Sequence, residues 1–320
     1  MTTEKKNLFV LDGGDLYDFM FYDIKNNSNV DFLDFKYDIS NKFLKVINKV
    51  HTSVRLSKMM PIPFKSIWFK KSTLYNYRFD LDREYNLIFT DTSIILLTLS
   101  EIKKLQKRVK CNIILLFLNP VSSPGGYAFK HIKNFPIKKV FTIEPQDCET
   151  YGYTYVNTIY SKYPTPKLEV DRDILFVGRA KNRLDFLHEM AQKLKRAGIT
   201  YRFFIFGVKK EDQIVDSGIV YNEYIPYEKV LEYVERSKYV LELLQEGQTG
   251  ITFRCYECFL YNRTLVTNNN SVPAEFKNMN IIQFKDNDDL IKSLENYQMH
   301  NYDVDDRFSP VHLLSLIQEE

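Results

Sequence analysis

Apolar runs that alternate with helical segments are the feature that most constrains how this 320-residue chain can fold. Several of these runs are apolar throughout, which is typical of strands buried on both faces in a parallel sheet. The intervening segments 96–110, 183–197 and 227–236 have the apolar spacing of helices that cover such a sheet. The runs that predict strands are 7–12, 85–91, 111–120, 140–145, 173–178, 201–207, 219–225, 239–244, 263–267 and 280–284. The sequence therefore predicts an α/β fold.

The length of the chain predicts two domains. Pro164 and Pro166 interrupt the pattern just before the apolar run at 173–178, so we expect domains at residues 1–166 and 167–320. The final helix, from Pro310, is a candidate to cross back to the first domain. The first domain carries a net charge of +8 and the second −5, so the two are expected to meet different partners.

Composition excludes several classes of protein. Hydrophobic residues make up 44% and charged residues 27%, as in ordinary globular proteins, and no apolar run reaches the length of a transmembrane helix. The first residues, MTTEKKNLFVLDGG, lack the apolar run of a signal peptide, so a cytoplasmic location is expected. Cys255 and Cys258 form a CxxC without a second pair of ligands, so the four cysteines are expected to be free thiols and no metal site is predicted.

Two segments predict an anion site. In EGQTGITFRCYECFLYNRTLVTNNN, residues 246–270, a glycine turn precedes a helix, whose first N–H groups and dipole favour an anion. The loop at residues 178–183 follows a strand and contributes Gly178, Arg179, Lys181 and Arg183. Because ligands of open parallel sheets bind at the carboxyl ends of the strands, both segments are expected at the same site. Taken alone, each has a plainer interpretation as a helix start or a solvated basic loop.

The segments DILFVGRAKNRLDFL (173–187) and IVYNEYIPYEKVLEYVERSKYVLELLQEGQTGITFRCYECFLYNRTLVTNN (219–269) resemble the donor-binding domain of GT-B glycosyltransferases. The similarity is greatest to enzymes of bacterial capsule, exopolysaccharide and lipopolysaccharide synthesis, and residues 118–120 and 140–164 resemble their first domain. The resemblance implies two facing Rossmann-like domains with parallel sheets. The second domain would bind a nucleoside diphosphate sugar and the first would bind the acceptor, with no other cofactor.

The resemblance also implies roles for individual residues. Glu257 matches the acid that contacts the nucleotide ribose, and the loop containing Tyr224 and Ile225 matches the base-binding loop, although Pro226 at a helix start explains that loop equally well. The candidate contacts to the diphosphate or sugar are Thr249, Gly250, Ile251, Thr252 and Arg254. Many retaining members have a second glutamate eight residues before the first, where this chain has Thr249, so the stereochemistry is left open.

An inverting sugar transfer needs a general base near the acceptor hydroxyl. Asp12 and Asp15 flank the first glycine turn and Asp91 follows a strand, so each is a candidate. Asp15 and Asp91 could equally cap the helices that follow them.

Residues 39–79 contain nine Lys or Arg residues and no Asp or Glu, interleaved with aromatic and methionine side chains. Cations beside exposed aromatics suit an anionic membrane surface, from which a lipid-linked acceptor would be reached. The candidates for membrane or acceptor contact are Lys58, Lys65, Trp68, Lys70 and Lys71. A solvated helix pair with its aromatics in the core is the alternative, and RNA binding lacks a supporting motif.

The sequence thus predicts a metal-independent glycosyltransferase that moves a sugar, hexose-like, from a nucleoside diphosphate to a lipid-linked or oligosaccharide acceptor in surface polysaccharide synthesis. It would work in the cytoplasm, or peripherally on the inner face of the membrane, without a nucleic acid partner. Two alternatives are a nucleotide-sugar epimerase of the same fold and a non-catalytic two-lobed binding protein.

Overall fold

The computed structural model describes residues 5–53, 65–121, 132–157, 159–244, 252–272, 276, 278–304 and 306–319, except for the side chains of Asp15, Lys65 and Asp306. The candidate residues Lys58, Thr249, Gly250 and Ile251 lie outside these ranges. The chain divides into two compact units, Met1–Ser161 with Asp306–Glu320 and Lys162–Asp305. The boundary lies close to the expected one at residue 166, and the last helix belongs to the first unit.

The first unit contains a six-stranded parallel sheet in the order β2-β1-β3-β4-β5-β6. Its strands are β1 (Lys6–Leu11), β2 (Val30–Asp34), β3 (Tyr85–Thr90), β4 (Cys111–Phe117), β5 (Ile137–Thr142) and β6 (Thr154–Tyr155). Its helices are α1 (Asp15–Met20), α2 (Lys42–His51), α3 (Thr73–Asn76), α4 (Asp91–Ile94), α5 (Leu99–Arg108) and α6 (Pro145–Tyr151). The centre of the sheet is apolar on both faces, since Leu8, Phe9 and Val10 are all fully buried. The parallel sheet predicted from these continuous apolar runs is confirmed.

The second unit repeats this architecture in the strand order β12-β11-β10-β7-β8-β9, again all parallel. Its strands are β7 (Arg172–Arg179), β8 (Tyr201–Phe206), β9 (Ile219–Tyr221), β10 (Ser237–Glu242), β11 (Thr264–Thr267) and β12 (Ile281–Gln283). Its helices are α7 (Leu184–Arg196), α8 (Tyr227–Glu235), α9 (Phe253–Tyr261) and α10 (Asn287–Asn296). The chain ends with α11 (Pro310–Gln318), which is part of the first unit.

The strand orders locate the places where ligands bind in such sheets. In the second unit β7 and β10 are neighbours, and the chain proceeds from β7 to β8 on one side and from β10 to β11 on the other. In the first unit the same reversal separates β1 from β3. At these points the connections diverge to opposite sides of the sheet and open a crevice at the carboxyl ends of the strands. Each unit therefore has one predicted ligand crevice.

Capping groups fix the ends of helices in both units. In α5 the Glu101 carboxylate accepts from the backbone N–H of Thr98 at 2.6 Å, and in α7 Gly198, with a φ of 71°, follows the last helical residues and ends the helix. In α9 the hydroxyl of Thr252 accepts from the N–H of Arg254 at 3.2 Å, and Asn262 adopts the left-handed conformation at the other end. Helix α9 is therefore held at both ends within the β10–α9–β11 connection.

Candidate functional site

A cleft of about 260 Å³ lies at the β7–β10 crevice of the second unit. It is bounded by the carboxyl ends of β7 and β10, by the first turn of α9 and by the side chain of Arg183, the residue before α7. Its lining residues are Phe176, Val177, Gly178, Arg183, Leu241, Glu242, Leu243, Thr252, Phe253 and Arg254. The structure thus brings together four of the predicted donor-site residues, two from each of the segments that the sequence singles out.

The loop after β7 returns the chain to this cleft in a tight turn. The N–H of Ala180 donates to the carbonyl of Phe206 at 2.9 Å, and the N–H of Arg183 donates to the carbonyl of Ala180 at 2.9 Å. Lys181 adopts a φ of 47°, in the left-handed region, so this turn carries backbone strain at a residue other than glycine. The side chains of Arg179 and Lys181 are exposed, whereas that of Arg183 is partly buried.

The Arg183 guanidinium is held in the cleft by backbone carbonyls. One nitrogen donates to the carbonyl of Leu243, at the end of β10, and another donates to that of Arg179 at 2.6 Å. Its central carbon lies 6.0 Å from the ring centroid of Phe176, and its Nε is buried without a hydrogen-bond partner. Burial lowers the pKa of this guanidinium from its usual value.

Within the described residues no carboxylate forms an ion pair with Arg183. A partly desolvated cation with an unpaired N–H is costly, and an anion bound in the cleft would compensate for it. The binding of a diphosphate by Arg183 stays a prediction.

The first turn of α9 is anchored to the end of β10 by a buried carboxylate. Glu242 accepts from the hydroxyl of Thr252 with one oxygen and from the hydroxyl of Thr267 at 2.6 Å with the other. Through this pair of bonds, β10 and β11 fix where α9 begins. The helix therefore presents its N-terminal end to the cleft in one orientation, and a helix N-terminus favours an anion.

Glu257, the predicted ribose contact, has protein partners at both carboxylate oxygens. It is fully buried, accepts from the Tyr227 hydroxyl at 2.5 Å, and forms an ion pair with Arg254. Burial raises the pKa of Glu257, while Arg254 and Tyr227 oppose the rise. Because Glu257 is fully buried and does not line the cleft, a ribose could reach it only if neighbouring side chains moved. Its ribose role stays a prediction.

The predicted base-binding loop lies between β9 and α8. The side chain of Tyr224 is 75% exposed, Ile225 is partly buried, and neither lines the cleft. Pro226 occupies the N-cap position of α8, in keeping with the plainer interpretation of this segment. The residue after this loop, Tyr227, contacts a predicted site residue, because its hydroxyl donates to Glu257. The base contacts of Tyr224 and Ile225 stay predictions.

Sequence reasoning did not identify Glu242, Phe176 or the Leu243 carbonyl. Glu242 carried a usable signal, because it is an acid within the otherwise apolar run 239–244 and its strand is central in the sheet. A buried acid in such a strand requires partners, and here they are two threonines. The carbonyl of Leu243 carried no such signal, since its contact depends on how the loop at 178–183 folds back.

The crevice of the first unit contains two of the candidate general bases. Asp12, after β1, is exposed and accepts from the Tyr17 hydroxyl at 2.7 Å and the Thr92 hydroxyl at 3.1 Å. Asp91, after β3, is buried and accepts from the N–H of Leu118 at 3.1 Å and the side-chain amide of Asn119 at 3.0 Å.

Burial raises the pKa of Asp91, and its two hydrogen bonds oppose this rise. The bonds show that Asp91 holds the turn after β4, so of these two carboxylates Asp12 is the one available to a ligand. Asp15 is the first residue of α1 and its side chain lies outside the described part of the chain. The caps of α1 and α4 are Gly14 and Thr90, so the alternative role of Asp15 and Asp91 as N-caps is wrong.

A second cleft, of about 180 Å³, adjoins this crevice. Tyr17, Phe21 and Phe32 supply aromatic rings, and an ion pair between Asp18 and Lys25 lies at its edge. The complete lining is Leu11, Gly14, Tyr17, Asp18, Phe21, Lys25, Phe32 and Asp34. Burial is the largest cause that raises the pKa of Tyr17, to about 12, so its hydroxyl remains a donor to Asp12 at neutral pH. Rings beside carboxylates can bind a sugar, because the rings stack on its apolar face and the carboxylates accept hydrogen bonds from its hydroxyls.

The prediction that Trp68 is an exposed membrane contact is wrong. Its side chain is only 4% exposed and donates from Nε1 to Nδ1 of His51 at 3.1 Å, because the short 3₁₀ segment Lys65–Lys71 packs its rings inward. Lys70 and Lys71 are exposed as expected, but Lys58 and the Lys65 side chain lie outside what the structure describes. A bilayer contact therefore cannot depend on Trp68.

Three further findings concern the described residues alone. No helix among them is long and apolar enough to cross a membrane. No cluster of His, Cys, Asp and Glu side chains there is arranged to hold a metal ion. All four cysteines are free thiols, with Cys255 and Cys258 buried in α9.

Residues 181–305 match the family described as Glycosyl transferase-like, and no curated protein matches the chain. A Listeria monocytogenes protein assigned as a UDP-N-acetylglucosamine 2-epimerase superimposes with a TM-score of 0.56 at 11% identity, covering 98% of this chain and 96% of that one. Because the identity is so low, this superposition bears on the fold alone.

Two other solved structures are more distant. TarM of S. aureus superimposes with a TM-score of 0.43 at 14% identity over 66% of this chain, which spans about half (47%) of the length of TarM. An α-glucosyltransferase solved with UDP and a 13-mer DNA gives a TM-score of 0.45 at 15% identity, covering 91% of this chain and 89% of that one.

The match at residues 181–305 includes Lys181 and Arg183 from the loop after β7, and the whole of α9. It therefore contains most of the residues that line the cleft. The strand order of the second sheet is that of a Rossmann unit, as the resemblance implies, whereas the first sheet has the related flavodoxin-like order. The chain has the two-unit parallel α/β fold that the resemblance to GT-B glycosyltransferases implies, and its residues 181–305 match the glycosyl transferase-like family.

Proposed function

We propose that this chain transfers a sugar from a nucleoside diphosphate sugar to a hydroxyl of a lipid-linked or oligosaccharide acceptor in surface polysaccharide synthesis. The observation that carries the proposal is the placement of Arg183 and the N-terminal turn of α9 in one cleft, at the strand-order reversal of the second unit. A cation that has no carboxylate partner in the described part of the chain and a helix N-terminus are groups that favour a diphosphate.

In the proposed reaction, the bond between the anomeric carbon and the diphosphate oxygen breaks, and its electron pair leaves with the diphosphate. Negative charge therefore grows on the leaving group, which Arg183 and α9 stabilise more strongly in the transition state than in the bound donor. Arg179, Lys181 and the segment Thr249–Ile251 would add further contacts to the phosphates. Since these groups supply the positive charge themselves, we propose that transfer needs no metal ion.

We propose the cleft beside Asp12 as the place where the acceptor sugar binds. The acceptor oxygen would form the new bond to the anomeric carbon, and its proton would pass to the Asp12 carboxylate. The hydroxyls of Tyr17 and Thr92 both donate to the Oδ1 atom of that carboxylate and so orient it. The partly exposed rings of Tyr17 and Phe32 would contact the apolar face of the sugar.

The first test is a thermal-shift screen against UDP, GDP, dTDP and CMP, since a ligand that binds only the folded state raises Tm. We expect one nucleoside diphosphate to stabilise the protein. Turnover of the matching nucleotide sugars is then measured with acceptor and chelator present. If no nucleotide stabilises the protein, the proposal fails, and a non-catalytic binding protein is the better interpretation. Interconversion of the sugar without acceptor would instead identify an epimerase.

A further inference from the structure

Helix α2 is a well-formed helix with an unusual orientation in the first unit. Its sequence is KFLKVINKVH, and the side chain of Asn41 caps it by accepting from the N–H of Phe43 at 2.9 Å and of Leu44 at 3.1 Å. The first turn thus has its own partners. This cap forms whether or not the apolar face of the helix is buried.

The apolar side of α2 points away from the unit. Phe43 is 73% exposed, Val46 61% and Val50 47%, whereas Asn48 is buried. With about 100° between successive residues of an α-helix, these three apolar side chains fall within an arc of about 60°. A helix that packs on a core normally buries such an arc, and α2 buries the polar Asn48 instead.

A row of cations lies beside this apolar arc. Lys42, Lys45 and Lys49 are all exposed and occupy another arc of about 60° directly next to it. No Asp or Glu occurs anywhere between residues 39 and 79, so the sequence around the helix offers these lysines no carboxylate. The exposed surface of α2 therefore joins an apolar strip to a cationic strip.

Helix α5 of the same unit shows the ordinary arrangement. It has the same length as α2 and exposes three lysines of its own, Lys103, Lys104 and Lys107. Its apolar residues Ile102 and Leu105 are fully buried. What distinguishes α2 is therefore the exposed apolar strip beside its lysines, and not its charge.

We infer that α2 lies on the surface of an anionic lipid bilayer, with Phe43, Val46 and Val50 among the acyl chains and its lysines at the headgroups. An interfacial helix requires this pairing of apolar and cationic strips. A second copy of the chain is a poorer occupant, because two α2 helices would bring six lysines together. The inference goes beyond the proposed function and does not depend on the sugar-transfer chemistry.

The test is cosedimentation of the full chain with vesicles of phosphatidylcholine, alone or mixed with phosphatidylglycerol. Each lysine near an anionic surface contributes about 1 kcal/mol, so Lys42→Gln, Lys45→Gln and Lys49→Gln together should weaken binding to the mixed vesicles roughly 100-fold. Added salt should weaken wild-type binding as well, because it screens the headgroup charge.

The matched control replaces the α5 lysines, with Lys103→Gln, Lys104→Gln and Lys107→Gln. This variant has the same net charge as the α2 variant, and its binding should stay within about threefold of wild type, because the attraction of lysines to anionic headgroups falls off within a Debye length of the surface. An equal loss in both variants would show general electrostatic attraction and would overturn the assignment to α2.

The apolar contact is tested with Phe43→Ser and Val50→Ser, which should fold normally because both side chains are exposed. We expect weaker vesicle binding at unchanged Tm. The inference is overturned if wild type does not bind the mixed vesicles, or if these substitutions instead dissolve a dimer seen by light scattering. Nucleotide stabilisation is measured on the same samples, so failure of the membrane contact is distinguished from failure of the proposed activity.

Discussion

Replacing Arg183 with methionine tests the assignment of the donor site most directly. Methionine is apolar, flexible and similar in length, so it can fill the space over Phe176 without the guanidinium. The variant loses the hydrogen bonds to the carbonyls of Leu243 and Arg179. It also removes a partly buried cation that has no carboxylate partner among the described residues. These two effects on the empty protein oppose each other, so its stability should change by no more than about 1 kcal/mol.

The effect on ligand binding should be much larger. A hydrogen bond to a charged group contributes about 1.5–3 kcal/mol, so loss of the contact to a diphosphate should raise Kd by roughly 10- to 150-fold. For UDP at about 100 times the wild-type Kd, the ligand stabilises the wild type by about 2.7 kcal/mol. A 50-fold weaker variant would retain about 0.6 kcal/mol of this at the same concentration. The lost stabilisation of about 2 kcal/mol corresponds to roughly 4–8 °C in Tm.

The assay is a thermal melt of each protein with and without UDP, followed by calorimetric titration. Arg202→Met is the control, because Arg202 also donates to a backbone carbonyl, that of Ser217 at 3.1 Å, at the opposite, amino-terminal edge of the same sheet. The control should keep the full shift with UDP. The reasoning is refuted if UDP raises the Tm of Arg183→Met as much as that of wild type, or if the Arg202→Met control loses as much of the Tm shift. If UDP does not bind wild type, the nucleotide identified by the screen is used in its place.

Three further predictions concern other residues of the two crevices. Gly178→Ala should destabilise the protein by about 1–3 kcal/mol in urea melts and weaken nucleotide binding, because the new Cβ would lie 3.0 Å from the ring of Phe176; unchanged values would show that the ring gives way freely. The pKa of Glu257 is raised, so the folded state holds this proton more tightly than the unfolded state, and the wild type should lose stability as pH rises above the ordinary pKa of 4.5. Glu257→Gln should lack this part of the decline. Identical pH profiles of the two proteins in urea melts would contradict this. Asp12→Asn should lower turnover about 100-fold or more with unchanged Kd for the donor, and turnover close to wild type would remove Asp12 as the base.

Much of the fold could be predicted from the sequence because its central strands are buried on both faces. Strand β4, predicted at 111–120, spans Cys111–Phe117, and α8, predicted at 227–236, spans Tyr227–Glu235. Strand β2 was not predicted, because it is an edge strand whose sequence VDFLD mixes acids with apolar residues. Helix α2 was not predicted as a separate element, since the cationic stretch around it gives little sign of where its ends lie.

The site was predictable to the level of segments. The glycine and cations at 178–183 and the helix start near residue 252 indicated an anion site, and both do border one cleft. Which cation enters the cleft was not predictable. Arg179, Lys181 and Arg183 are equivalent by charge, and only the turn with a left-handed Lys181 leaves Arg183 on the carbonyls of Leu243 and Arg179.

The sequence by itself determined the parallel sheets, the approximate boundary between the units and the segments that meet at their crevices, because these follow from apolar periodicity and local backbone signals. Only the tertiary structure decided the state of individual side chains. It buried Trp68 against His51, enclosed Glu257 between Tyr227 and Arg254, and turned the apolar side of α2 outward. The physical reason is that burial and hydrogen-bond partners depend on residues distant in sequence, and a local pattern carries no information about them.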